Sequence, residues 1–134
     1  MTLSAMQQLL ETHLNTLEPK PSIAWPNVPF TPNITEPYIE PKLIPTSHTD
    51  ESIDRLGSMV DKAKFDIFVY VPKSTGSFVM RNWLKVLESH FPRTLILSNN
   101  DSTVRVRQVT RTQSFYLDTW YTQGITVSCY SIGK

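Results

Sequence analysis

The sequence predicts an α+β protein: a mainly antiparallel β-sheet with two α-helices packed on one face, in the order α-β-β-β-α-β-β-β. Three observations support this. Two stretches repeat apolar residues at three- and four-residue spacing, and each is stopped by a proline. Several others alternate apolar and polar residues with period two. Between the first helix and the first long strand, Pro19–Pro45 holds eight of the ten prolines. Each proline fixes φ and removes an N–H, which excludes helix there and allows strand only in short pieces.

The first helix spans residues 2–17, with Leu3, Met6, Leu10, Leu14 and Leu17 on one stripe and Leu9 widening it. Ser4 followed by Gln7 resembles a capping box, with Thr2 as a competing cap. Glu18-Pro19 ends it. Ser22–Trp25 then reads as a short strand. Tyr38–Ile44 reads as a second, which Pro37, Pro41 and Pro45 place at a sheet edge or a bulge. Between them runs a stiff, extended arm whose aromatic residues must bury against something. Trp25 and Tyr38, where the arm enters and leaves the sheet, are expected in the subunit's own core. The stretch 27–34 between them, with Asn27, Val28 and Phe30, is expected to be offered to a neighbour.

Residues 46–61 are polar with isolated apolar positions and read as a long hairpin connection. Ile53, Leu56 and Met59 have the spacing of one helical turn, which Gly57 weakens. Lys62–Val71 is the strongest strand: Phe65, Ile67, Val69 and Val71 face one way, Lys64, Asp66, Phe68 and Tyr70 the other. After a break at Pro72–Gly76, Ser77 caps a second helix from Phe78 to about His90. Its stripe is Met80, Trp83, Leu84, Leu87 and Phe91. Leu95–Leu97, Thr103–Thr110 and Trp120–Tyr130 are the remaining strands, with a loop around Ser114–Asp118 and a possible bulge at Gly124. Phe65, Ile67, Trp83 and Leu87 are expected to be core.

At 134 residues the chain reads as one domain, 1–134. A net charge of +1 supplies no strong field to attract nucleic acid or an anionic membrane. The longest apolar run, Ile67–Val71, is far too short to span a bilayer. The first residues lack the basic and apolar regions of a signal peptide. A single cysteine, Cys129, excludes an internal disulfide and any multi-Cys metal site, and its strand-like surroundings read as a buried small hydrophobe.

No catalytic constellation emerges. His13 lies beside the first helix's stripe and His90 at the second helix's C-terminus, neither with an evident nucleophile. His48, Asp50 and Glu51 group three metal-ligand types in one loop without the oriented second shell a metal site needs, and a hydrolase built there lacks a matched nucleophile. Lys73-Ser-Thr-Gly76 lacks the glycines that precede a phosphate-loop lysine. Arg105, Arg107 and Arg111 share one strand parity. They read as a solvated face or as a contact row for an acidic partner or a DNA backbone.

Three motifs give the chain a family resemblance. Ile23-Ala-Trp-Pro-Asn-Val-Pro-Phe-Thr-Pro32, continuing to Glu36-Pro-Tyr38, is the most specific. Phe68-Val-Tyr-Val-Pro-Lys-Ser-Thr-Gly76 is a strand-then-loop motif, followed by a helix ending in His90-Phe-Pro-Arg93. Trp120-Tyr121 opens the final strand. With these the sequence resembles the phage tail-terminator-like proteins of long-tailed bacteriophages. Ser74 and Thr94 stand where that family often has glycine. The resemblance implies a virion structural protein, not an enzyme, with no cofactor. Such a protein forms a homo-oligomeric, typically hexameric ring on the head-proximal end of the tail tube, meeting tube protein and a head-completion protein, with no membrane and DNA at most passing through the lumen. Interaction is expected from Asn27, Val28 and Phe30 in the arm, from Asp50, Glu51, Asp54 and Arg55 in the long connection, and from Arg105 and Arg107. The alternatives are a head-completion (neck) protein and a small nucleic-acid-binding protein using Arg105, Arg107 and Arg111.

Overall fold

A computed structural model describes residues 3–18, 21–26, 28–32, 36–50, 59–73, 77–98, 103–117 and 119–133. The elements run α1 (Leu3–Leu14), β1 (Ser22–Ile23), β2 (Tyr38–Asp50), β3 (Met59–Pro72), α2 (Ser77–His90), β4 (Ile96–Ser98), β5 (Thr103–Arg111), β6 (Phe115–Leu117) and β7 (Trp120–Gly133). The strands form one sheet in the order β1-β2-β3-β7-β5-β4, with β6 also on β7. Among the described residues only the β1–β2 pair is parallel. The predicted class and order hold, with β6 as one additional short strand.

Period-two alternation decides which face of the sheet is dry. Phe65, Ile67, Val69 and Val71 of β3 and Ile125, Val127 and Cys129 of β7 point to the same side, in register at Phe65↔Val127 and Ile67↔Ile125. Both helices lay their stripes on that side: Met6, Leu10, Leu14 and Leu17 from the first, Met80, Leu84, Leu87 and Phe91 around the second, all buried in one cluster. Burying each such side chain is worth roughly 1.5–3 kcal/mol, which is why the apolar face and not helix propensity fixes the layers. The opposite face carries no helix among the described residues. Trp83 packs at the margin of this core, half-buried, where a core position was expected.

Several boundaries differ from the sequence reading. The first helix ends at Leu14, because Thr16 and Leu17 then bond three residues back, to His13 and Leu14, and tighten the last turn. The polar stretch 46–61 is largely strand at its two ends: the β2–β3 ladder shifts register between Pro45 and Ser47 and continues from Ser47↔Lys62 to Asp50↔Met59. Paired backbones hold this extension, so it shows no strong apolar alternation. Met59 belongs to β3, while Ile53, Leu56 and Gly57 lie outside the described residues.

β6 occupies the predicted Ser114–Asp118 loop. It continues the path of β5 along β7 after an interruption at 112–114, and three residues are too few to show a period. Gly124 makes no bulge; the β3–β7 register runs unbroken through Phe68↔Gly124. A Cβ at Gly124 would collide with the Ile67 carbonyl oxygen and sit 2.9 Å from the Phe68 Cα, so close backbone approach explains the glycine. The bulge falls instead between Val106 and Gln108, at Arg107.

Candidate assembly surfaces

The proline-rich arm folds back onto the end of the sheet. The Ala24 N–H donates to the Ile39 carbonyl at 2.8 Å, and the Val28 N–H donates to the Trp25 carbonyl at 3.2 Å across Pro26. Phe30 packs on Tyr38 at 5.0 Å between ring centroids, Tyr38 stacks on Tyr70 at 4.5 Å and 5°, and Trp120 meets Tyr38 edge-on at 5.1 Å. The Tyr70 hydroxyl donates to Glu40 at 3.0 Å. Burial, and next the Glu40 charge, push both tyrosine phenols above their ordinary range. An open cleft of about 520 Å³ lies between the arm and this cluster, walled by Trp25, Pro26, Pro29, Phe30, Tyr38 and Glu40.

The expected division of the arm is therefore only partly right. Trp25 and Tyr38 do pack inward, but each is half-buried. Phe30, expected to face a neighbour, lies half-buried on its own subunit's Tyr38, because ring stacking is available within reach. Val28 stays 55% exposed. Asn27 lies outside the described residues, as do Glu51, Asp54 and Arg55; Asp50 is described as the backbone end of β2, opposite Met59.

The three arginines do not share a face. The bulge at Arg107 inverts the alternation, so Arg105 stands opposite Tyr130 on the open face while Arg111 stands opposite Ile125 on the helix side. There Arg111 forms a forked pair with Glu88 of α2, at 3.0 Å from Nε and 2.8 Å from Nη2. Those hydrogen bonds, ahead of the charge itself, push the guanidinium further up. The contact row predicted from parity is thus broken, and Arg111 is a strap between sheet and helix.

Arg105 and Arg107 join a different set on the open face. Tyr130 pairs with both Arg105 and Lys62 across the sheet, and Ser128 pairs with Lys64. Lys62, Lys64 and Arg107 border one hollow of about 270 Å³, with Thr46, Ser128 and Tyr130. All four cations are exposed, and among the described residues none has an ion-pair partner; the pair described is Arg111–Glu88.

β6 is a third surface. Phe115, Tyr116 and Leu117 are 44, 69 and 46% exposed, a run of apolar residues on a strand whose outer edge is unpaired among the described residues. Tyr116 rests on Tyr121 at 5.3 Å with the Lys73 ammonium 5.5 Å from its ring centroid. The Lys73 N–H donates to the Thr119 carbonyl at 3.0 Å, which ties this hairpin to the end of β3. The sequence reading missed this surface. Its available signal was three consecutive apolar residues inside an otherwise polar loop.

The histidines make a structural clasp. His13 and His90 stack at 4.1 Å, and Phe91 meets both edge-on. Cys129 is buried, its thiol 3.5 Å from the Ala63 carbonyl, and burial pushes the thiol up to about 12. Among the described residues no three His, Cys, Asp or Glu side chains converge as metal ligands.

These features define an α+β protein distinguished by its contact surfaces: an aromatic arm, a basic sheet face and an apolar edge strand. The chain belongs to the phage tail terminator protein family, whose model matches residues 5–129. That membership makes it a structural protein of the phage tail, associated with other tail or head proteins. No curated protein matches it. One solved structure aligns with the whole chain and with 97% of its own, at 20% identity and a TM-score of 0.75, which shows a shared fold.

Proposed function

We propose that this protein caps the head-proximal end of the tail tube. There it assembles as a hexameric ring, stops tube polymerisation and offers the surface on which a head-completion protein docks. It acts as a scaffold and not as an enzyme, assembles in the host cytoplasm, and admits DNA at most through the ring lumen. The family match across 5–129 carries this reading. The surfaces support it, since a ring is built from heterologous contacts that use two different patches on each subunit. Val28 at the arm and the connection after Asp50, with Glu51, Asp54 and Arg55, are the parts that meet a neighbour or the tube. The nucleic-acid-binding alternative is weakened because Arg111 is committed to Glu88.

Deleting Asp50–Ser58 tests the proposal. The deleted protein should remain a folded monomer yet fail to cap tubes, which electron microscopy would read as overlong tails without heads. Normal tail lengths and normal head joining would refute it.

A further inference from the structure

We infer that the cleft between the proline-rich arm and the sheet binds an arginine side chain, supplied by β5 of a second copy of this chain. Trp25, Phe30 and Tyr38 wall the cleft with aromatic rings, Pro26 and Pro29 with rigid saturated ones, and Glu40 with a carboxylate. The three aromatic residues are only half-buried, so ring surface is left for a ligand. Glu40 Oε1 accepts from the Tyr70 hydroxyl, while Oε2 has no hydrogen bond among the described residues. Ring faces attract a cation, and the carboxylate anchors it. A guanidinium suits both at once, being planar, forked and weakly hydrated, whereas an ammonium is a strongly hydrated point charge. The prolines fix the arm's backbone, so little freedom is lost when the guest enters.

The chain's own described cations do not fill the site. Among the described residues of the arm, β1 and β2, Lys42 is the one lysine or arginine; it stands opposite Asp66 of β3 and is not a wall of the cleft. Arg105 and Arg107 are exposed, without an ion-pair partner among the described residues, and lie three strands away from β2. Glu40 is opposite Phe68 of β3, and Arg105 is level, through Tyr130, with Lys62 of the same strand. That separates Glu40 from Arg105 by roughly 20 Å along the strands and 14 Å across them, and from Arg107 by about 13 Å along and 14 Å across. Neither side chain spans such a gap, so β5 of one subunit cannot fill that subunit's own cleft. A neighbour's β5 can. Lys62 and Lys64 border the same hollow as Arg107, so an outside carboxylate also relieves the repulsion among them. Cleft and arginines are different patches, which makes the contact head to tail, the kind from which rings are built. This inference rests on the assembly of copies proposed above and names what joins them.

Two measurements test it. N-acetylarginine amide is titrated into the protein while the Trp25 indole signal is followed by nuclear magnetic resonance. Saturable binding is expected, weakened roughly five-fold in Glu40→Gln and absent with the neutral N-acetylcitrulline amide. Equal binding of the two amides, or none of either, overturns the inference. Association of copies is then followed by sedimentation, with tail tubes present and absent. Glu40→Arg and Arg105→Glu/Arg107→Glu should each stay folded in thermal melts yet fail to associate. Their equimolar mixture should associate, because alternating the two chains sets opposite charges at every contact. Variants that associate as the wild type does, or a mixture that stays apart, overturn the inference and leave tube capping by the wild type standing. Wild-type copies that stay apart under both conditions overturn it too. If Glu40→Arg abolishes binding to tube protein while its copies still associate, the cleft belongs to the tube and the inference falls. A wild type that associates through this contact but leaves tubes uncapped overturns the capping function and upholds the contact.

Discussion

His13 and His90 clasp the C-termini of the two helices to each other: each imidazole Nε2 lies against the other residue's carbonyl, at 2.6 and 2.7 Å, with the rings stacked 4.1 Å apart. A carbonyl only accepts, so both Nε2 atoms carry the proton. Thr16 closes the group, its hydroxyl donating to the His13 carbonyl at 2.6 Å and lying 3.2 Å from His90 Nε2. The carbonyls engaged belong to the orphan set that every helix C-terminus leaves.

The clasp makes stability pH-dependent. Burial, and to a lesser degree the neighbouring His90, lower the pKa of His13 below its ordinary 6.5, against the opposing pull of its bond to the His90 carbonyl. The unfolded chain then binds the proton more readily than the folded one. Stability should be complete above about pH 7 and fall as pH drops through 6.5. Thermal melts between pH 8 and pH 5 check this, and His13→Gln should flatten the profile over that window. An unchanged slope in that variant would assign the pH dependence elsewhere.

Gly124→Ala should destabilise the sheet centre by about 1–3 kcal/mol through overpacking. The added methyl meets main chain, the Ile67 carbonyl and Phe68 Cα, which cannot rotate away. Denaturant unfolding reads the cost directly, and a neutral result would show that the β3–β7 pair can spread.

Leu84 is fully buried beneath α2 while Trp83 sits at the core margin. Leu84→Ala should cost about 2–5 kcal/mol. Trp83→Ala should cost less than the 3–5 kcal/mol typical of a buried aromatic, because part of the ring is already in water. Equal midpoints in urea would contradict that order.

Tyr70→Phe removes the hydroxyl that donates to Glu40 and should cost about 1 kcal/mol. Because burial and Glu40 raise the Tyr70 phenol well above 10, the unfolded chain ionises first as pH rises, and stability is lost above pH 10. Ultraviolet titration should find fewer phenolates at pH 10.5 in the folded protein than in the denatured one.

The helix stripes and the β3 alternation were legible because burial on one face leaves a regular period in the sequence. Met80, Leu84, Leu87 and Phe91, and Phe65 through Val71, lie where that period places them. Three features were not legible. The inverted arginine row depends on a one-residue bulge at Arg107, which no composition marks. The β2–β3 extension is held by paired backbones, which leave no side-chain pattern. The His13–His90 stack joins residues 77 apart, and only packing of the two helices brings them together.

The sequence by itself determined the class of fold, the dry face of the sheet, the buried cysteine and the family, because each follows from local periodicity or from motifs within a few residues. Tertiary structure alone decided where the charges and rings converge. It sent Arg111 to Glu88 and left Arg105 and Arg107 on the open face beside Lys62 and Lys64. It also turned Phe30 back onto Tyr38. Those outcomes depend on strand register and helix docking, in which a shift of one residue moves a side chain to the opposite face.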